Sequence, residues 1–340
     1  MLRRLLFLVV AIYLLSAAAW VISAGVVRKT DQVKLLNVSY DPTRELWREI
    51  NVKFEDRYEQ RTGKRPSIQQ SHAGSSSQAN SVINGLDADV VTLALFTDTD
   101  AIRKAGLINN PWVDKFPNRS LPYVSTIVFV VRKGNDKNIR DWPDLAKNGV
   151  VVVTPDAKTS GNGKWSFLAL WGSVTQRGGS DQEATEYVRK VYSLAQKDAS
   201  ARAATMTFAQ KKMGDVHLTW ENEAHLEVQE AGGTLEIVYP PTSVLAEPHI
   251  AVVDKVVDRK GTRIPAEAYM EYLYTDEAQE IIAKHNYRPT NLNVKARTAH
   301  LFPKIDLFSI SKFGSWDEIQ SRFFAEGAIF DRVTGGKANK

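Results

Sequence analysis

Cysteine is absent from all 340 residues. That one gap excludes disulfides, thiol catalysis, a lipid-modified N-terminal cysteine and every Cys-based metal site together. Repeat periods and low-complexity tracts are missing as well. Histidine is sparse, six in the chain, and scattered. His217, Glu221 and His225 keep the i, i+4, i+8 spacing of a helical metal site, but His217 and Trp220 read as strand, so the three side chains would not share one face. A strong basic surplus is lacking too. The formal charge is +5, and it falls to +3 if residues 1–19, with Arg3 and Arg4 and no acids, are removed. No basic cluster with interleaved aromatics occurs, which argues against a nucleic-acid partner.

What remains is ordinary globular material, 43% hydrophobic and 24% charged, in a chain long enough for two lobes. Arg3 and Arg4 precede an uncharged apolar run from Leu5 to Leu15, and Ser16 to Ala19 offer a small-residue cleavage site. Residues 1–19 therefore read as a secretory signal. The uncharged run continues to Val27, the length of an alternative N-terminal anchor.

Beyond residue 31 the chain alternates strand and helix. A short strand at 35–39 ends on Asp41 and Pro42, an acidic residue and a proline opening a helix. Leu46, Ile50, Phe54 and Tyr58 then recur every four residues up to Gly63, an amphipathic helix with a clear stop. Strand 67–71 leads to His72 through Ser77 and a second helix, whose first amides the serine hydroxyls are expected to cap. Strand 90–95 leads to a third helix, with Asp98 and Asp100 read as capping and dipole-complementing residues. Two long β-prone runs, 126–131 and 245–253, enclose about 115 residues, which suggests a middle lobe entered and left by paired connections. The expected architecture is α/β with two lobes, mostly parallel sheets flanked by helices, and a cleft between lobes. Residues 31–128 plus 250–335 are assigned to lobe 1 and 129–249 to lobe 2, with hinge motion at the two crossover runs.

Within the middle lobe, Thr159 to Trp165 forms a polar, glycine-containing turn between strand 150–154 and an apolar helix. Ser160 is expected to cap that helix, leaving backbone N–H groups to hold an anion. A Walker loop is excluded, because only Asn162 separates Gly161 from Gly163 and Trp165 follows Lys164. Ser200 marks another helix start before Ala201 and Arg202. Strand 216–220 ends in Trp220, whose indole nitrogen can only donate. Helix starts at Asp41, Ser75, Ser160 to Asn162 and Ala201 thus stand at segment ends, where ligands of α/β sheets gather. Donors alone suit an oxyanion without a proton. Hydrogen phosphate brings a proton that needs an acceptor, whereas sulfate at neutral pH does not. Nucleophilic hydrolysis by Ser75 with His72 is the enzymatic alternative, although Gly74 to Ser77 lacks the G-x-S-x-G elbow.

Asn37 to Leu46, Gln70 to Ser75, Ser81 to Gly85, Thr159 to Asn162, Gly214 to Glu223 and Leu245 to Pro248 resemble the periplasmic sulfate-binding proteins of bacterial ABC transporters. The resemblance implies a type II periplasmic binding fold and a monomeric, non-catalytic receptor that needs no cofactor or metal. It implies a periplasmic location and delivery of sulfate, with thiosulfate as a second ligand, to a membrane permease. It places sulfate against the N–H groups of Asp41 and Ser75 from one lobe. From the other come the Ser160 hydroxyl, the N–H groups of Gly161, Asn162 and Ala201, and the Trp220 indole, with Arg202 in support. The family's sulfate binders commonly carry glycine where Asn162 and Ser200 stand. Asn162 with His72 to Gly74 is similar to the thiosulfate-binding relatives, while Trp220 is similar to the sulfate branch. The remaining alternatives are a hydrolase of sulfated or phosphorylated substrates and a receptor for another oxyanion such as molybdate.

Overall fold

The structure, a computed structural model, describes residue 16 and residues 33–335. The signal-segment and anchor expectations fall on residues 1–27, which lie outside the described residues except for Ser16. Two mixed sheets carry the fold. The first runs His249–Val252, Val90–Leu93, Lys34–Tyr40, Ser67–Ala73 in spatial order. Its ladders are parallel except where His249–Val252 joins antiparallel to Val90–Leu93. The second runs Gln196–Asp198, Val152–Pro155, Val216–Trp220, Ile127–Arg132, Leu235–Val238. Here the first two ladders are parallel, and both ladders of Ile127–Arg132 are antiparallel.

The antiparallel partners have a common origin. Ile127–Arg132 and His249–Val252 are the strands on which the chain arrives from the other sheet, so each enters against the direction set by the local βαβ units. The two crossings lie side by side. Ser125 and Ala246 exchange backbone hydrogen bonds of 3.0 and 2.9 Å. Thr126 Oγ1 donates to the Val244 carbonyl at 2.8 Å, and Ser243 Oγ to the Ile127 carbonyl at 2.7 Å. The paired connections expected from the two β-prone runs are thus joined by their own hydrogen bonds.

Helices cover both faces of the first sheet, and its strands Val90–Leu93 and His249–Val252 are buried throughout. Helix Arg44–Thr62 buries Leu46, Trp47, Ile50 and Phe54 against Tyr269, Met270 and Leu273 on one face. It stops where Gly63 takes φ 71° and its N–H returns to the Glu59 carbonyl, a left-handed cap that glycine adopts without strain. Ala79, Val82 and Ile102 pack on the other face against Val38, Leu93 and Ala251.

Two expectations need correction. Residues 305–333 do not complete the first lobe. Phe308, Phe323, Phe324 and Phe330 join the core around Phe167, Trp171 and Tyr192, and strand Asp306–Phe308 pairs with Thr242–Val244. The reason is apolar surface: helix Gly161–Thr175 is buried on all sides from Gly161 to Ser173, so it needs a second layer beyond its own sheet. Asp98 and Asp100 also do not cap, since Leu95 holds the cap position and no side chain caps there. Asp98 accepts from Ser76 Oγ at 2.9 Å, and Asp100 pairs with Arg103 and Lys104.

Candidate anion site between the two sheets

Strand Lys34–Tyr40 runs into a 3-10 turn at Asp41–Thr43, and strand Ser67–Ala73 into helix Ser75–Ile83. From the second sheet, strand Val152–Pro155 leads through a loop to helix Gly161–Thr175, and Gln196–Asp198 to helix Ala201–Thr205. Strand Val216–Trp220 ends directly on helix Glu221–Glu230. These strand ends converge on one small cavity with about 180 Å³ of empty space. Its lining is Tyr40, Asp41, Pro42, Ala73, Gly74 and Ser75 from the first side, and Ser160, Gly161, Asn162, Ala201 and Trp220 from the second. All seven residues singled out as ligand contacts therefore meet there. Arg202 stands outside the lining.

The helix starts are left open in a specific way. At Asp41, Ser75 and Gly161 no side chain caps the helix. This corrects the expectation for both serines. Ser75 is the first helical residue, not the cap, and its Oγ accepts from the Ala94 N–H at 3.0 Å. Ser160 does occupy the cap position yet accepts from no helix amide. Ser200 caps as expected, but its Oγ takes the N–H of Ala203 at 3.3 Å, past Ala201. First-turn amides have no intrahelical acceptor. Leaving them uncapped around the cavity makes a set of fixed donors.

No lining residue is Lys, Arg or His. The one carboxyl among them, on Asp41, accepts from Arg44 at 2.9 Å. Trp220 is fully buried, and its Nε1–H has no partner. A buried donor left unpaired costs about 1–3 kcal/mol, and this one belongs to a residue that lines the cavity. Tyr40 packs against that indole with centroids 5.6 Å apart, and burial keeps its phenol well above its ordinary pKa.

The two sides touch closely. A Cβ on Gly161 would sit 2.5 Å from Ala94 Cβ and 3.3 Å from Ser75 Cβ. One on Gly74 would sit 2.4 Å from the Thr159 carbonyl oxygen. Trp165 Nε1 donates across the gap to the Ala94 carbonyl at 2.9 Å. Asn222 Nδ2 donates to Tyr287 Oη at 2.9 Å, and that hydroxyl to the Pro42 carbonyl at 2.9 Å. Arg202 completes the seam, 2.7 Å from Glu45 Oε2 on the first side and 2.8 Å from Glu223 Oε2 on its own. Glu45 and Glu223 had no role in the sequence reading. Their carboxyls sit in the motifs, but only the fold shows that they face the same guanidinium.

Glu223 is 2% exposed. Burial outweighs Arg202 and pushes its carboxyl up to about 8, far above the usual carboxylate range. A raised acid binds a proton in the folded state that the unfolded chain releases, so it withdraws stability as pH climbs between the ordinary value and about 8. The thermal midpoint is expected to fall through that window in wild type, with Glu223→Gln flattening the slope. A differential scanning series from pH 5 to 8.5 with parallel slopes would exclude this assignment.

The residues weighed for other chemistry are engaged elsewhere. His72 Nδ1 lies 2.7 Å from Ser39 Oγ and Nε2 2.7 Å from Gln70 Oε1, and burial with the nearby Arg44 charge lowers its pKa to about 4. His217 meets Glu227 at 2.8 Å, Glu221 meets Arg288 at 2.7 Å, and His225 meets the Tyr239 hydroxyl at 2.9 Å. The three members of the helical-spacing trio thus point to three different partners.

A two-lobed frame whose strand ends and uncapped helix starts enclose one small polar cavity defines a solute-binding protein of the type II periplasmic class. The comparisons with known proteins agree. The family described as bacterial extracellular solute-binding protein matches residues 46–288, and the chain belongs to it. It is 50% identical over 306 residues to a sulfate-binding protein of Escherichia coli K12, covering 89% of this chain and 93% of the relative. It is 48% identical to a thiosulfate-binding protein of Pseudomonas aeruginosa, covering 88% and 91%. Among solved structures, the sulfate-binding protein SubI from Mycobacterium tuberculosis superposes with a TM-score of 0.79 at 30% identity, over 86% of this chain and all of that one.

Proposed function

We propose that this chain is an extracytoplasmic receptor that captures sulfate, with thiosulfate as a second ligand, and hands it to an ABC permease. The ligand accepts from the N–H groups of Asp41, Ser75, Gly161, Asn162 and Ala201, from the Ser160 hydroxyl and from the Trp220 indole. Arg202 supports the site from outside by tying the Ala201 helix start to Glu45 and Glu223. The observation that carries this reading is the unpaired, fully buried indole N–H in a cavity without a basic side chain. Each open helix terminus typically adds about 0.3–1 kcal/mol for an anion, and several act on one ion here. Relatives named for sulfate and for thiosulfate at similar identity support both ligands.

The receptor works as a monomer in the periplasm and does no chemistry on its ligand. Ser75 Oγ is an acceptor for Ala94 N–H and His72 is engaged on both nitrogens, so no nucleophile–base pair faces the cavity. One lobe comprises residues 33–124 with 249–302, the other 127–244 with 305–335, and they close about the paired crossings near Ser125 and Ala246.

Calorimetry of the mature protein tests this directly. Sulfate is expected to bind one-to-one, thiosulfate to compete, and phosphate to bind far more weakly, because its proton meets mostly donors and the one lining carboxyl, on Asp41, already accepts from Arg44. Phosphate binding as tight as sulfate would sink this donor-based reading. Ser160→Ala removes one neutral donor to a charged acceptor and leaves every amide, so its expected loss is about 10- to 100-fold, the weight of one such hydrogen bond of roughly 1.5–3 kcal/mol. An unchanged titration would take Ser160 out of the contact set.

A further inference from the structure

Seven donors were expected in this cavity, and the structure supplies an eighth. Asn162 lines it, is 2% exposed, and its Nδ2 is buried with no hydrogen-bond partner. Its other side-chain atom, Oδ1, faces Ser166 Oγ, one turn on, at 3.5 Å, a weak contact. The NH2 end makes no contact of that kind with the protein. Asn162 and Trp220 thus share a property: each lines the cavity and each carries a buried, unpaired N–H. A buried donor is retained when an acceptor arrives, and both unpaired donors belong to residues that line the same cavity.

We propose that the Asn162 side-chain amide, and not only its backbone N–H, donates to the bound oxyanion and is a specificity-determining contact. This rests on the cavity being the anion site argued above. The ligand class it selects is a tetrahedral oxyanion with an acceptor on every corner. A glycine in this place would supply the backbone donor alone, so the side chain adds recognition without altering the helix start. The carboxamide also affects which anions fail: a protonated oxyanion presents its O–H where the indole and the carboxamide NH2 only donate. Asn162→Asp is isosteric and turns that donor into an acceptor, so the same geometry then opposes sulfate and favours an anion bearing a proton.

The experiment is a calorimetric titration of wild type, Asn162→Ala, Asn162→Gly and Asn162→Asp with sulfate, and of wild type and Asn162→Asp with phosphate at pH 6. Melting of each ligand-free variant serves as the folding control. Asn162→Ala and Asn162→Gly are expected to lose about 10- to 100-fold in sulfate affinity, the loss of one donor to a charged acceptor. Asn162→Asp is expected to lose more than either and to gain measurable phosphate binding. Wild-type affinity in the alanine and glycine variants would overturn the proposal while leaving the site reading intact. Absence of sulfate binding in wild type would instead overturn the site reading itself. Should alanine fail to fold, nitrogen-15 spectra decide. One side-chain NH2 pair, missing from Asn162→Gly, must shift on addition of sulfate to wild type, and a pair indifferent to sulfate would overturn the proposal.

Discussion

Trp220→Phe is expected to weaken sulfate binding by about 10- to 100-fold while leaving the ligand-free fold in place. The substitution keeps an aromatic ring against Tyr40 and deletes little more than the indole N–H and part of the ring. A hydrogen bond from a neutral donor to a charged acceptor is worth roughly 1.5–3 kcal/mol, which corresponds to that range. The ligand-free protein should change little, because Nε1 has no protein partner to lose and removing a buried unpaired donor relieves a desolvation penalty. Calorimetry gives the affinity and a thermal melt without ligand gives the stability. The informative pattern is their divergence: affinity down, ligand-free midpoint level or slightly up. Equal affinity in the variant would mean that the indole faces something other than the ligand. A collapsed midpoint would make its role packing.

Most of the site was legible because its chemistry is local. A helix start after a strand is written within ten residues, and strand 216–220 ends on the indole in the sequence itself. Polar residues at such starts were less well read. Ser75 and Ser160 have the composition of caps, and local grammar cannot distinguish a hydroxyl that caps its own helix from one that serves a distant group. Ser75 Oγ reaches Ala94, nineteen residues away, and only the fold brings that amide within range. Glu45 and Glu223 were opaque for the same reason, since their shared partner Arg202 is 157 residues from the first. The assignment of the C-terminal aromatics went wrong through a different cause. Phe308, Phe323 and Phe330 announce that they need burial, but not against which of two sheets. Adjacency in sequence favours the first, whereas these rings pack against helix Gly161–Thr175, which is buried on all sides from Gly161 to Ser173.

Gly161→Val should leave every proposed donor in place and still reduce sulfate affinity by about 10- to 100-fold. Every atom that a Cβ at 161 would meet first belongs to the other side of the cleft: Ala94 at 2.5 Å, Ser75 at 3.3 Å and Leu95 at 3.6 Å. A first-turn helical position by itself tolerates the side chain at a cost of a few tenths of a kcal/mol. The strain therefore appears only when the lobes meet. Overpacking of this kind costs about 1–3 kcal/mol, and apparent affinity falls by the factor through which the closed state is depopulated. Backbone donors at Gly161 and Asn162 remain, so the loss measures closure alone. Small-angle scattering separates the two effects, since wild type should compact on adding sulfate and the variant should compact less at equal occupancy. A variant that binds and compacts like wild type would show that the contact of Gly161 with Ala94 is not made in the ligand-bound form. A variant that binds poorly yet compacts fully would mean that the valine disturbs the anion-holding turn itself. The glycine at the head of this helix is then required by the opposite lobe as much as by the ligand, which links the geometry of binding to the geometry of closure through a single missing methyl group.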